Sequence, residues 1–222
     1  MARHQQITAA DILQTARRQM ESLGTAGLTL RGIARELDVT APAIYNYYPS
    51  LADLITALIV DAFVTCAEAL ETADASVTGY GARVAAVMRV YRIWSLSNRM
   101  DFQLIYGNPI PGYSAPPEIT VPAAIRAAAP FTRPIGEAML CGALSARPVE
   151  SAAIRAQLTA LVERLQLPIP PEALFYGTMA WSRAHGAIML ELHGHLLPVI
   201  GDGAAYLETE IERTLEDIGL TR

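Results

Sequence analysis

Apolar side chains recur at helical spacing along nearly the whole chain, and the breaks between the runs divide it into elements. The first run predicts a helix over about residues 8–23, with Ile7, Ile12, Ala16, Met20 and Leu23 on one face and Gly24 and Gly27 marking its end. Two short helices joined by a tight turn follow. Leu30, Ile33, Ala34 and Leu37 line one face of the first, which Thr29 opens as an N-cap. Asp38 breaks that helix and Val39 plugs the turn. Thr40 then caps a second helix with Pro42 near its start, where a missing N–H does no harm. This second helix presents Thr40, Ala41, Ala43 and Asn46 beside Tyr45, Tyr47 and Tyr48. Small and hydrogen-bonding side chains at the N-terminus of an exposed helix suit the major groove of DNA. A fourth helix starts at Ser50 and runs through Leu54, Leu58, Asp61, Ala62, Thr65 and Ala69 towards Glu71.

From Val77 onward the pattern stays helical. Val84, Val87, Met88, Tyr91 and Trp94 form the apolar face of a helix ending near Asn98, and a short helix is expected at 101–106. The glycines and prolines of 107–117 require a loop. The alanine-rich stretch 121–144 contains Pro130 and Pro134, which predicts a kinked or broken helix. Ile154, Leu158, Leu161 and Leu165 mark another helix, ended by Pro168, Pro170 and Pro171, which also start the next. Over 172–196, Leu174, Thr178, Trp181, His185, Ile188, Leu192 and His195 step by three and four, a coiled-coil-like seam. A final helix presents Leu207, Ile211, Leu215 and Ile218. Two such faces either complete a subunit core or join two subunits. The fold class is therefore all-α, with an N-terminal three-helix head at 1–54 and a helical body at 55–222.

The 222 residues are 52% hydrophobic, yet no apolar run is long enough to cross a membrane. Gln5, Gln6, Asp11 and Gln14 interrupt any leader-like core, so the expected location is cytoplasmic, with no membrane partner. Cys66 and Cys141 sit far apart in apolar patterns and read as buried small hydrophobes, with a redox-sensing thiol pair as the alternative. The net charge of −5 is unhelpful for binding nucleic acid, although only the local field matters. Within 1–54, Arg3, Arg17, Arg18, Arg31 and Arg35 balance Asp11, Glu21, Glu36, Asp38 and Asp53. The chain has no lysine, so every cationic phosphate contact falls to Arg. Few such contacts predict a shallow salt dependence, since each neutralised phosphate adds roughly 0.9 to the log–log slope.

The ordered positions Thr29, Ile33-Ala34, Val39-Thr40, Ile44-Tyr45, Tyr47-Tyr48, Ser50 and Leu54, behind the helix at 7–24, resemble the DNA-binding domain of the TetR family of bacterial repressors. That resemblance implies a homodimeric, ligand-responsive transcriptional regulator, a repressor released from a near-palindromic operator on double-stranded DNA by a small, mostly apolar effector. The helix at 41–47 would enter the major groove. Thr29, Thr40, Tyr45, Tyr47 and Ser50 would neighbour phosphate or sugar, while Thr40, Ala41, Ala43 and Asn46 would face base edges. Arg31 is the expected groove or backbone arginine, and Arg3 would add a contact from the N-terminal arm. Tyr48 reads as core, in place of the family's usual Phe. The family's common lysines are replaced by Leu51 and Ala41, which removes two phosphate anchors. In the family, the fourth helix joins head to body and the last two long helices form a four-helix dimer interface. This places Leu174, Thr178, Ile188, Leu192, Leu207, Ile211 and Leu215 between subunits.

Trp181-Ser-Arg-Ala-His185-Gly186, together with the segment from Phe102 to Tyr113, resembles the WHG-domain subgroup of that family. Trp181 and His185 are one turn apart and face the same way, and Gly186 would let another backbone approach closely. His185 reads either as a satisfied core histidine packed on Trp181, as a polar anchor in an effector pocket, or as a metal ligand. Glu191 and His195 also share a face, but His193 lies roughly 160–200° away from them, so a metal would need a further ligand from elsewhere. No metal and no cofactor is expected. The candidate ligand-binding residues are Met88, Tyr91, Trp94, Tyr106, Met139, Phe175, Trp181, His185 and Met189. Two alternatives remain at this level: a small-molecule-converting helical enzyme using His185 and Glu191, and a helical dimer that has lost DNA binding. No nucleophile–base pair, phosphate loop or cofactor motif accompanies the enzyme reading, and the sequence is read as a non-enzyme.

Overall fold

The computed structural model describes residues 7–145 and 147–221, with Ala26 described through its backbone alone. Among the described residues there are eleven α-helices, one 3₁₀ turn and no strands, as the hydrophobic periodicity predicts. They are α1 (Ala9–Leu23), α2 (Leu30–Glu36), α3 (Ala41–Tyr45), α4 (Leu51–Ala75), α5 (Tyr80–Ser97) and α6 (Arg99–Tyr106). Then follow α7 (Pro117–Leu140), α8 (Ala152–Leu165), α9 (Pro171–Leu192), α10 (Leu197–Ile200) and α11 (Gly203–Ile218). No helix among the described residues is long and apolar enough to cross a membrane. The chain divides into two compact units. One comprises the described residues up to Phe63 together with Asn98–Ala124, and the other comprises Val64–Ser97 and everything from Ile125 onward.

In the first unit, α1 opens on a capping box: Thr8 Oγ1 accepts from the Asp11 N–H (3.2 Å), and Asp11 Oδ2 accepts from the Thr8 N–H (2.8 Å). Ile12, Ala16 and Met20 are buried, as their spacing requires. Leu23, expected on the same face, is 62% exposed, because the helix stops there and Gly24, at φ 71°, turns the chain away. Thr29 Oγ1 caps α2 by accepting from the Gly32 N–H at 3.0 Å. The end of α2 is a Schellman motif. The Val39 N–H reaches back to the Ala34 carbonyl (3.0 Å) and the Asp38 N–H to that of Arg35 (3.3 Å). Asp38 therefore takes the left-handed position (φ 53°) that glycine most often fills, a conformation a short polar side chain tolerates. This motif sets the sharp angle between α2 and α3, and the fully buried Ile33 and Ile44 lock it from inside.

One arginine pins three helices of this unit. Arg17 of α1 donates from Nε to both carboxylate oxygens of Asp101 on α6 (2.8 and 3.1 Å) and from Nη2 to Asp61 on α4 (2.6 Å).

The second unit is built around α9, which packs against α5, α8 and α11. Val84, Val87, Met88, Ala180, Ala184, Ile188, Leu207, Ile211 and Leu215 fill its core. The expected break in the alanine-rich segment does not occur: α7 runs unbroken through Pro130 and Pro134. Each proline removes one backbone bond. The buried face of Ala127, Phe131, Ile135 and Ala138, packed continuously, holds the helix together across the two gaps. Asp202 caps α11, accepting from the N–H groups of Ala204 (2.8 Å) and Ala205 (3.1 Å). Cys66 is buried, as expected, and burial pushes its thiol up to about 12, far from thiolate chemistry at neutral pH. Cys141, expected to be buried as well, is exposed, because α7 ends at Leu140 and Gly142 (φ 76°) turns the chain outward. With one thiol inaccessible, the redox-pair alternative loses its geometry.

Candidate nucleic-acid interface and the polar group of the body

The surface of α2 and α3 carries the residues singled out for DNA. Arg31, Thr40, Tyr45, Asn46 and Tyr47 are exposed, and Ala41 and Ala43 are partly so. Thr40 makes no capping hydrogen bond to the start of α3, which leaves its hydroxyl to an outside partner. Regular helix is shorter than the expected 41–47 and ends at Tyr45. Turns through Asn46 N–H to the Pro42 carbonyl (3.1 Å) and Tyr48 N–H to that of Ile44 (3.0 Å) carry the chain onward. Tyr48 is half-buried.

Three of the expected phosphate neighbours are already engaged. Thr29 accepts from the α2 backbone, as described, but its own hydroxyl proton stays available. Tyr47 donates its hydroxyl to the Ile7 carbonyl at 2.6 Å, tying the end of the α3 turn to the residue before α1. Ser50 sits in a closed capping box at the head of α4: its hydroxyl donates to Asp53 (2.7 Å) and accepts from the Asp53 N–H (3.2 Å). In the free protein the Ser50 hydroxyl thus serves as a helix cap.

The arginines sort clearly. Arg17 is committed to Asp61 and Asp101, and Arg18 pairs with Glu36 at 3.0 Å. Among the described residues, Arg31 and Arg35 hold no ion pair. They are exposed and one turn apart on the same face of α2. Arg35 is a cation that the family pattern alone does not single out, although its i,i+4 spacing from Arg31 is visible in the sequence. Arg3 lies outside the described residues.

In the second unit, Tyr91, Trp181 and His185 meet. Trp181 Nε1–H donates to Tyr91 Oη at 3.3 Å, and Tyr91 Oη and His185 Nδ1 share a 2.8 Å hydrogen bond. The Trp181 and His185 rings lie 5.0 Å apart, and Phe131 meets Tyr91 edge-on at 5.4 Å. Burial holds the His185 imidazole below its ordinary value, so it is neutral at pH 7. Indole N–H can only donate, so Tyr91 Oη accepts it, and the direction of the Tyr91–His185 bond is set by the imidazole tautomer. Met88, Tyr91 and Trp94 are buried, whereas Met139, Phe175, Trp181, His185 and Met189 are half-buried. Tyr106 belongs to the other unit, where its ring meets Phe63 edge-on and packs on Phe102 at a tilt. Glu191 is held by Arg92 through two hydrogen bonds (2.7 and 2.5 Å), and His193 and His195 are exposed. No cluster of metal-ligating side chains forms among the described residues.

One expectation about the last helices needs correction. Ile188, Leu207, Ile211 and Leu215 are at most 3% exposed within the single chain, so they build its own core and cannot form a surface for a second copy. Leu174 and Leu192 are half-buried, and Thr178 alone of the seven is exposed. Gly186 has no neighbour among the described residues within 4 Å of where a Cβ would stand. Within the chain a close approach occurs on the opposite face of α9, at Gly177, whose added Cβ would lie 3.0 Å from Thr132 Cα on α7.

A helix-turn-helix with a small, polar recognition surface, joined to an all-helical second unit, defines a class of DNA-binding transcriptional regulators. Comparison with known proteins gives the family. Residues 12–58 match the bacterial regulatory proteins of the tetR family, and residues 84–214 match the tetracyclin repressor-like C-terminal domain, of WHG type. The HTH-type transcriptional regulator Rv1816 of Mycobacterium tuberculosis is 32% identical over 193 residues, spanning 83% of this chain and 80% of that one. Mb1846 of Mycobacterium bovis, also an HTH-type transcriptional regulator, matches to the same degree. The crystal structure of the regulatory protein SCO4313 has a TM-score of 0.78 at 31% identity, covering 94% of this chain and 95% of that one. A protein of unknown function from Rhodococcus sp. RHA1 shares the fold over the whole of both chains, with a TM-score of 0.75 at 22% identity. The chain belongs to the TetR family of transcriptional regulators. Its relatives are regulators and not enzymes, which removes the enzyme alternative.

Proposed function

We propose that the protein is a homodimeric repressor that leaves a near-palindromic operator when a small, mostly apolar effector binds. The observation that carries the DNA half of this reading is the exposed surface of Thr40, Ala41, Ala43 and Asn46, flanked by the unpaired Arg31 and Arg35. Asn46 suits bidentate recognition of adenine and Ala43 a thymine methyl. Arg31 and Arg35 would serve the DNA backbone.

The dimer uses α9, on the face opposite to its buried one. Thr178, Ser182, Gly186 and Leu190 are exposed and four residues apart, which makes a stripe of mostly small side chains ending in a leucine that is 44% exposed. Small residues let a second helix approach closely. Gly186→Trp tests this directly, because the position of its Cβ has no neighbour among the described residues within 4 Å. Sedimentation is expected to give a dimer for the parent and a monomer for the variant, with helix content unchanged and DNA affinity lost together with the dimer. A variant that remains dimeric and bound to DNA would move the interface off α9.

For the effector, Trp181, His185 and Tyr91 offer an aromatic wall with a neutral imidazole as polar anchor. Trp181→Ala is expected to abolish release by the effector while leaving DNA affinity within about twofold, since the indole is remote in sequence from the residues that meet DNA. A normal response in titrations of DNA binding against effector would exclude this group from recognition.

A further inference from the structure

The second unit carries an apolar groove of about 290 Å³ between α7 and α8. Ile125, Ala128 and Thr132 of α7 form one wall, Leu161 and Leu165 of α8 the other, and Leu174 of α9 also lines it. Among the described residues, Arg133 is the one charged side chain in the lining. We propose that this groove binds a free alkyl carboxylate of medium length, its chain lying between α7 and α8 and its carboxylate on Arg133.

The groove is open because α8 leaves its apolar face uncovered. Ser151 caps the helix, its Oγ accepting from the Ile154 N–H at 3.4 Å, and α8 packs on α9, yet none of its 14 residues is buried. Leu158, Leu161 and Leu165 are spaced as on a helix with a covered face, but Leu165 stays 36% exposed, and Ile125 across the groove 38%. The connection from α8 to α9 packs against α7 instead. Ile169 lies over Gly136, where an added Cβ would come within 2.9 Å of the isoleucine Cβ. Gly136 is one turn beyond Thr132 and Arg133, so this contact bounds the groove at the Arg133 end. The α7 face concerned is separate from the buried one of Ala127, Phe131 and Ile135, so the groove stands apart from the Tyr91–Trp181–His185 group. Its occupancy does not rest on the effector reading above.

The lining selects both ends of the ligand. The volume is close to the roughly 300 Å³ at which small-molecule sites begin, which suits a single chain. Leucine, isoleucine and alanine walls offer that chain burial and no hydrogen bond. Only Thr132 and Arg133 carry polar side chains there. The Thr132 hydroxyl spends its proton on the Ala129 carbonyl at 3.0 Å. Arg133 stands 3.5 Å from Asp74, beyond ordinary hydrogen-bond length, and Asp74 is already held by Arg83 through two bonds of 2.7 and 3.1 Å. The Arg133 guanidinium, 45% exposed, therefore presents donors to the groove. Its fork matches an acceptor-only group of opposite charge, a carboxylate.

The test uses the full chain with methyl-labelled isoleucine, observed by NMR and titrated with hexanoate, octanoate and decanoate. Saturable shifts are expected at Ile125 and Ile169, which line the groove, and not at Ile188 and Ile211 of the core or at Ile59 of the first unit. Affinity should rise about two- to fourfold for each added carbon, as each methylene leaves water. Ala128→Trp, at an exposed position in the wall, should abolish the shifts. Arg133→Met should weaken octanoate by about three- to fivefold and leave binding of octanol unchanged. In both variants, parental signals from Ile188 and Ile211 report an intact fold. Phosphatidylglycerol vesicles should leave Ile125 and Ile169 unmoved. Absence of shifts at these two methyls, or their survival in Ala128→Trp, overturns the site. Affinity that is indifferent to chain length, or to Arg133→Met, overturns the placement of chain and carboxylate. Shifts with the vesicles and none with the free acids overturn the free ligand in favour of a bilayer surface.

Discussion

Replacing Arg17 by methionine is expected to remove about 2–4 kcal/mol of stability. Breaking a buried ion pair from one side costs about 3–5 kcal/mol, because the remaining charge is left desolvated and alone. Here Asp101 is only 8% exposed, but the Arg17 and Asp61 side chains are 23% and 38% exposed, so solvent screens part of the effect. Urea unfolding followed by circular dichroism measures the loss. The double variant Arg17→Met with Asp101→Leu should recover most of it, since an apolar pair of similar size replaces a buried ion pair at little cost. A loss below about 0.5 kcal/mol in the single variant would mean that Asp101 is solvated and that the three helices are not tied at this point.

A comparable loss is expected of Gly177→Ala, in spite of the better helix propensity of alanine. Its Cβ would stand 3.0 Å from Thr132 Cα and 3.1 Å from the Phe131 carbonyl oxygen, both backbone atoms of α7. A side chain in the way can rotate, but a helix backbone has to shift. Overpacking of this kind costs roughly 1–3 kcal/mol, and with a rigid neighbour the value should fall near the upper end. Thr132→Ala in the same chain removes the threonine methyl from the contact and should restore part of the stability. A Gly177→Ala variant as stable as the parent, by thermal unfolding, would show that α7 and α9 are not held at this distance.

How much of this was legible in the sequence differs by element. The helix-turn-helix was, because its signals are local: the Thr29 cap, the Asp38 break and the apolar face that holds Ile33 depend on neighbours within a turn or two. Asp38 reads only as a break, but it proves to be the left-handed residue of a Schellman motif. The seam on α9 is visible as a seam, yet spacing cannot say what lies opposite. α5 and α11 of the same chain pack on α9, and of the seam Ile188 is buried while Thr178 and His195 are exposed. The glycines carry the same lesson. Gly186 stands beside two aromatic landmarks, while the crowded glycine is Gly177, marked by nothing in its local sequence.

The prolines of α7 show tertiary packing overriding a local rule: Pro130 and Pro134 each remove a bond, and the buried face around Phe131 and Ile135 keeps the helix whole. The Arg17 node was hidden, since its partners lie 44 and 84 residues away.

The central claim is that the surface of α3 reads DNA as one half of a two-fold pair. A footprint of the purified protein on the DNA upstream of its own gene, at low and at higher salt, tests it most directly. The account predicts a protected near-palindrome whose half-sites lie about 34–36 Å apart or a multiple of that. Protection should weaken only moderately with salt, because few arginines serve phosphate. Asn46→Ala should lower affinity by about 1–3 kcal/mol for each adenine that the amide holds. Protection that is asymmetric, or symmetric but indifferent to Asn46→Ala, would contradict it.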